Sequence, residues 1–261
     1  MHLTKMQGLG NDYLYVYGEL KEPAKLSIKL SDRHFGIGSD GLIWIQPSDR
    51  ADFSMRIFNA DGSEAKMCGN GIRCVGKYVY DKGYTDKTVL TVDTLSGIRT
   101  LNLFVEQGKV KEVSVDMGKV QMEEELTLTA LEQTVRCYPV SVGNPHCILF
   151  TEDAEQAPLT TLGAAIERHE AFPEGVNVEF VQVLDRHSVR MRVWERGSGI
   201  TMACGTGACA SAAAAVKAGF CESPVTVRLD GGDLHIQLLP DGSARMTGPA
   251  VTVCECEVEE A

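Results

Sequence analysis

The chain has 261 residues, 44% of them apolar, with a formal charge of −11 at neutral pH and nine cysteines. That length suits two domains, and the acidic balance argues against a nucleic-acid partner, because phosphate binding relies on clustered Lys and Arg. An odd cysteine count without disulfide spacing, an N-terminus without an apolar signal core, and no apolar run near the roughly 20 residues of a membrane span predict a soluble, cytoplasmic protein that does not bind membranes.

In chain order, Gly10-Asn11 is a turn opening an apolar strand over Tyr13 to Val16, and Gly36 to Gly41 introduces a second over Leu42 to Ile45. Phe58 to Ser63 reads as a strand running into a turn. From Cys68 to Gly83 the sequence reads as a helix, with Lys82 near its negative end and a glycine closing it. Val89 to Val92, Gly97 to Leu103 and Val110 to Asp116 follow as hairpin strands. The second half repeats the order. Gly143-Asn144 opens an apolar strand through Leu149, Glu174 to Asn177 introduces Val178 to Val181, and Val189 to Trp194 runs into the turn Glu195 to Gly199. A second helix spans Cys204 to Gly219, over as many positions as the first, with Lys217 in its last turn. Strands Val225 to Leu229, Leu234 to Leu238 and Ser243 to Thr247 complete the half.

Four landmarks recurring in one order point to an internal duplication. The expected fold class is α/β: two pseudo-symmetric lobes, each a mixed, mostly antiparallel sheet curled around one central helix. The helix after Cys204 is almost entirely Ala, Ser and Val, apolar on every side, and is expected to be enclosed by its sheet.

The two helix starts, Cys68-Gly69-Asn70-Gly71 and Cys204-Gly205-Thr206-Gly207, carry the chemistry. A helix N-terminus presents unpartnered N–H groups and a positive dipole end, so it can hold a carboxylate and favour a thiolate. Two such ends converging on one carboxylate would stabilise the enolate-like charge formed when an α-proton leaves. A thiolate on one face of that carbon and a thiol on the other would invert it, which predicts a racemase or epimerase. Cys74, Cys137, Cys147, Cys209 and Cys221 read as small core hydrophobes. No Cys-x-x-Cys pair or finger-type Cys–His spacing suggests zinc, Cys254-Glu255-Cys256 reads as strand alternation, and no phosphate-loop motif is present. Asn11, Asn144 and Asp40, taken singly, are turn residues. Glu123 to Glu125 and Glu255 to Glu260 read as solvated faces.

Gly-Leu-Gly-Asn-Asp at 8–12, Phe-Asn-Ala-Asp-Gly-Ser at 58–63, Cys-Gly-Asn-Gly-Ile-Arg-Cys at 68–74, Gly-Asn-Pro-His-Cys at 143–147, Glu-Arg-Gly-Ser-Gly at 195–199 and Ala-Cys-Gly-Thr-Gly-Ala-Cys at 203–209 together closely resemble the diaminopimelate epimerase family. The resemblance runs from Met6 to about Gly248. It implies a cofactor-independent, metal-free isomerase that interconverts LL- and meso-2,6-diaminopimelate on the route to lysine and peptidoglycan, acting as a homodimer. It also implies an N-terminal lobe of residues 1–116 joined by 251–261, a C-terminal lobe of 117–250, and an active site in the cleft between them. Cys68 and Cys204 are then the two bases, and Gly69, Asn70, Gly205 and Thr206 the carboxylate clamp. Asn11, Asn59, Asn144, Asn177, Glu195 and Arg196 make up the rest of the substrate shell, with His146 and Glu195 tuning the thiols. Some relatives carry a glutamine contact where this chain has Gly41. A proline racemase-like protein would instead be expected to carry histidine at the position of Asn70.

Overall fold

The computed structural model describes residues 1–259, so Glu260, at the end of the acidic tail, lies outside the described residues. Two compact units divide the chain: Met1–Val115 with the chain's end from Gly248, and Asp116–Thr247.

The first unit comprises β1 (His2–Gly8), β2 (Asn11–Tyr17), α1 (Pro23–Ser31), β3 (Gly41–Gln46), β4 (Phe53–Asn59), the two-residue β5 (Glu64–Ala65), α2 (Gly69–Asp81), β6 (Val89–Thr94), β7 (Gly97–Glu106) and most of β8 (Lys109–Lys119). Helix α1 was not expected from the sequence. Pro23 starts it, where proline's missing N–H costs nothing and its fixed φ suits a first turn. The sheet runs antiparallel from β1 to β2, parallel to β3, antiparallel to β4, parallel from β4 to β6, then antiparallel through β7 and β8.

Helix α2 is buried from Gly69 through Val79 and packs on β1, β2 and β7. Its approach to the sheet is close: a Cβ on Gly76 would stand 2.8 Å from Leu103 and 2.9 Å from Leu101. Substitution there requires these two leucine side chains to give way.

The second unit follows with β9 (Gln121–Met122), β10 (Leu126–Ala130), β11 (Gln133–Ser141), β12 (Pro145–Phe150), a π turn over Leu159–Gly163, α3 (Ala164–Glu167), β13 (Asn177–Asp185), β14 (Ser188–Glu195), β15 (Gly199–Ile200), α4 (Gly205–Lys217), β16 (Val225–Leu229), β17 (Gly232–Leu238) and β18 (Ser243–Pro249). From β11 the pairing order repeats that of the first unit: antiparallel to β12, parallel to β13, antiparallel to β14, parallel from β14 to β16, then antiparallel through β17 and β18. The internal repeat read from the sequence is therefore a repeat of sheet topology. Ala208, Ala210, Ala212, Ala214 and Ala215 of α4 are fully buried, so methyl-sized side chains let the sheet close around the helix on all sides.

A final strand, β19 (Val251–Glu257), returns to the first unit and pairs antiparallel with β1, His2 opposite Glu257. Glu255 is consequently more than a solvated charge. It accepts from Thr4 Oγ1 at 2.7 Å and from Lys82 Nζ at 2.7 Å, and pairs with His2 Nε2 at 2.9 Å. All nine cysteines are free thiols, and the five assigned to the core are buried. Among the described residues no helix is long and apolar enough to cross a membrane.

Candidate active site

The two helix starts are built alike. Cys68 is the N-cap of α2 and Cys204 the N-cap of α4, each in extended conformation, with φ −135° and −120°. Each sulfur accepts a backbone N–H from the third helical residue at 3.3 Å, Gly71 in one unit and Gly207 in the other. A thiol thus takes the place a Ser or Asp oxygen usually fills, satisfying a donor the helix leaves unpaired and setting the sulfur at the positive end of the dipole.

Around Cys68 an asparagine and its carboxylate brace are in place. Its thiol donates to Asn11 Oδ1 at 3.2 Å, and Asn11 is aimed by Asp40, whose Oδ2 accepts from Asn11 Nδ2 at 2.8 Å and from the Asp12 N–H at 3.1 Å. Asp40, read from the sequence as a turn residue, therefore also orients a site residue. Next to it, a Cβ on Gly41 would fall 2.2 Å from the Phe58 carbonyl oxygen. No side chain fits there on this backbone. Asn59 ends β4 and donates to Ser63 Oγ within its own turn. The buried Asn70 turns its amide oxygen to Arg73 Nη1 at 3.0 Å.

Around Cys204 the contacts carry charge. Thr206 Oγ1 is 3.6 Å from its sulfur and accepts from Asn144 Nδ2 at 3.3 Å. Asn144 Oδ1 faces His146 Nε2 at 3.1 Å, and His146 Nδ1 lies 2.6 Å from Glu179 Oε1. Glu195, at the end of β14, takes the Thr201 hydroxyl. Asn177 donates to the Pro145 carbonyl and accepts the Arg196 backbone N–H at 3.0 Å, while the Arg196 guanidinium reaches the Glu174 carbonyl at 2.8 Å.

Burial pushes the Cys204 thiol well above its ordinary pKa, and the charges of Glu195 and Glu179 push the same way, against the pull of Thr206 and the Gly207 amide. Burial also raises the Glu195 carboxyl, with Thr201 opposing it. Burial and charge thus both favour the thiol form of Cys204 over the thiolate.

His146, Glu179 and Cys204 offer nitrogen, oxygen and sulfur atoms within 4.8 Å of one another. The 2.6 Å contact between His146 and Glu179 is a short hydrogen bond. Two ligands of one tetrahedral zinc stand about 3.3 Å apart, so these two residues would have to separate to take one up.

Sequence reading missed Glu179. It is fully buried in the middle of β13, among Val178, Phe180 and Val181. A carboxylate interrupting an apolar strand was the available signal, since Glu is almost never fully buried unless paired. Asp40 and Thr201 gave no such signal, because loop residues of these types are common.

Residues 3–123 and 138–253 match the family described as diaminopimelate epimerase. The chain is 51% identical to the diaminopimelate epimerase of Methanococcus maripaludis, covering 99% of this chain and all of that one. It is 52% identical to that of Phocaeicola vulgatus, covering 98% and 97%. Among solved structures, the fold resembles a probable proline racemase from Agrobacterium radiobacter, with TM-score 0.75, 16% identity and coverage of 99% and 92%. A predicted epimerase from Pseudomonas aeruginosa is similar, with TM-score 0.74, 18% identity and coverage of 100% and 99%. With a family match over most of its length and full-length relatives at half identity, the chain belongs to the diaminopimelate epimerase family.

Proposed function

We propose that this protein interconverts LL- and meso-2,6-diaminopimelate by moving a proton on and off one α-carbon, with Cys68 and Cys204 acting from opposite faces in the cleft between an N-terminal lobe, residues 1–116 with 251–261, and a C-terminal lobe, residues 117–250. The observation that carries this reading is the matched pair of N-capping thiols, each held by the third backbone N–H of a buried helix.

In one direction Cys68 as thiolate removes the α-proton while Cys204, a thiol, gives its own to the other face. The reverse reaction exchanges the roles. The first-turn amides of both helices bind the carboxylate of the reacting centre and stabilise the charge it gains as the C–H bond breaks. Asn11, Asn59, Asn144, Asn177 and Glu195 supply acceptors for ammonium groups, and Arg196 can fork onto the distal carboxylate. His146 and Glu195 tune Cys204. This chemistry needs neither a metal nor a cofactor.

A cytoplasmic homodimer is part of the same reading. Val251 and Val253 of β19, 43% and 53% exposed, give an apolar strand edge that a second copy could cover. The deciding experiment follows α-proton exchange of LL-diaminopimelate in D2O by NMR, using fresh, reduced protein without additives. Deuterium incorporation accompanied by meso product is expected. Absence of exchange overturns the reading.

A further inference from the structure

Glu179 has no role in the two-base scheme, yet it is fully buried, and its Oε2 makes no hydrogen bond among the described residues. Its Oε1 anchors a run of contacts that ends at the reactive sulfur. His146 Nε2 points to Asn144 Oδ1, which can only accept; Asn144 Nδ2 donates to Thr206 Oγ1; and Thr206 Oγ1 is 3.6 Å from Cys204 Sγ. Thr206 Oγ1 accepts from Asn144 and keeps its own proton: while Cys204 is a thiol either atom can donate, and once the sulfur is a thiolate only the hydroxyl can.

Each donor in the run faces Cys204. That direction requires His146 to donate from Nε2 while Nδ1 sits against a carboxylate. A neutral imidazole carries one N–H only, so the 2.6 Å contact to Glu179 must hold a second proton between the two groups. Without Glu179 the imidazole could move its single proton to Nδ1. Asn144 would then reverse its amide, and Thr206 would donate to Asn144 rather than to sulfur.

We propose that Glu179 is a positioning residue for the epimerase reaction: by holding His146 it fixes the direction of the hydrogen-bond chain through Asn144 and Thr206, so that the Thr206 hydroxyl proton stays available to the Cys204 thiolate. This inference rests on the epimerase reading for its meaning, but its geometry can be tested without turnover. The charged and titratable groups facing Cys204 are Glu195 on β14, Glu179 on β13 and His146 on β12. Only the last two belong to the chain.

Two uncharged replacements separate direction from charge. In Glu179→Gln the amide can donate to His146 Nδ1 and keep Nε2–H in place. In Glu179→Met nothing fixes the tautomer. The readout is the pH midpoint for alkylation of Cys204 in substrate-free protein, resolved by peptide mass spectrometry. The Met variant should titrate about one pH unit above the Gln variant, because it loses a hydrogen bond to the thiolate. Turnover should fall about tenfold in Met at little change in KM and largely survive in Gln. Equal midpoints in the two variants overturn the proposal.

Should the Met variant not fold, 15N-histidine NMR of the wild-type protein decides. A proton on His146 Nε2 is expected at neutral pH, and a ring protonated on Nδ1 alone refutes the chain's direction. Failure of the epimerase reading is distinguishable from failure of this one: the first leaves diaminopimelate unexchanged whatever the midpoints, the second leaves wild-type exchange intact.

Discussion

The α2 and α4 helix starts share one backbone and differ in the side chains brought to the sulfur. Both cap with a thiol, both give it the third N–H at 3.3 Å, and both bury the helix that follows. Cys68 then meets an asparagine oxygen, whereas Cys204 meets two carboxylates and an imidazole. Duplication supplied matched geometry, and substitution around it gave the two thiols different neighbours. A reaction that needs an acid and a base at once benefits from that inequality, because two identical thiols would favour the same protonation state.

Replacing either cysteine tests whether both are required. Cys68→Ser and Cys204→Ser should each lower epimerisation by about a thousandfold or more, followed by conversion of LL to meso substrate. Retention of full activity by either variant sinks the two-base scheme.

The glycines behind the thiols test how far the likeness extends. A Cβ at Gly207 would meet Glu179 Oε1 at 2.6 Å, and one at Gly71 would meet the Ile43 Cδ1 methyl at the same distance. A methyl at the end of a flexible chain can move aside, but a carboxylate locked to His146 cannot do so without breaking its bond. Gly207→Ala should therefore cost about 3 kcal/mol in urea unfolding and Gly71→Ala about 1 kcal/mol.

The electrical difference can be sharpened with Glu195→Gln. Removing that charge should lower the Cys204 alkylation midpoint by about one pH unit. Linkage gives the sign for stability. The Cys204 thiol is raised in the folded protein, and Cys74 is pushed up to about 11 by burial. The unfolded chain thus loses these protons first, and stability that is complete below about pH 8.5 declines as pH climbs toward the folded values. Urea midpoints measured between pH 7 and 10 check this.

The smallest effect is expected at Asp40→Asn. It weakens the support of Asn11 without removing a group near sulfur, and turnover should drop about threefold, with Cys68 alkylation as the companion measurement. A loss as large as that of Cys68→Ser would make Asp40 a member of the reaction rather than a brace for Asn11.

Much of this was legible in the sequence because duplicated motifs constrain each other. Cys68 and Cys204 declared themselves through glycines at matched offsets and through helices of equal span, and the strands around them follow plain alternation. Helix α1 was hidden because its stretch is short, weakly periodic and led by Glu22 in a left-handed conformation instead of a capping residue. Glu179 was hidden for a different reason. Its significance depends on His146, 33 residues away, and only the parallel pairing of β12 with β13 brings the two into contact. At Asn70 the motif suggested a ligand contact, and the bond from Arg73 to its amide oxygen could not be read from the sequence.

The return of β19 to β1 has a consequence for biosynthesis. The second unit is one continuous segment, Asp116–Thr247, and can close as soon as it emerges during translation. The earlier-made unit cannot: β1 waits with an open edge until β19, far along the chain, has been made. The half of the protein that is synthesised first is thus the half that is finished last, and its exposed strand is the stretch a chaperone would have most reason to guard.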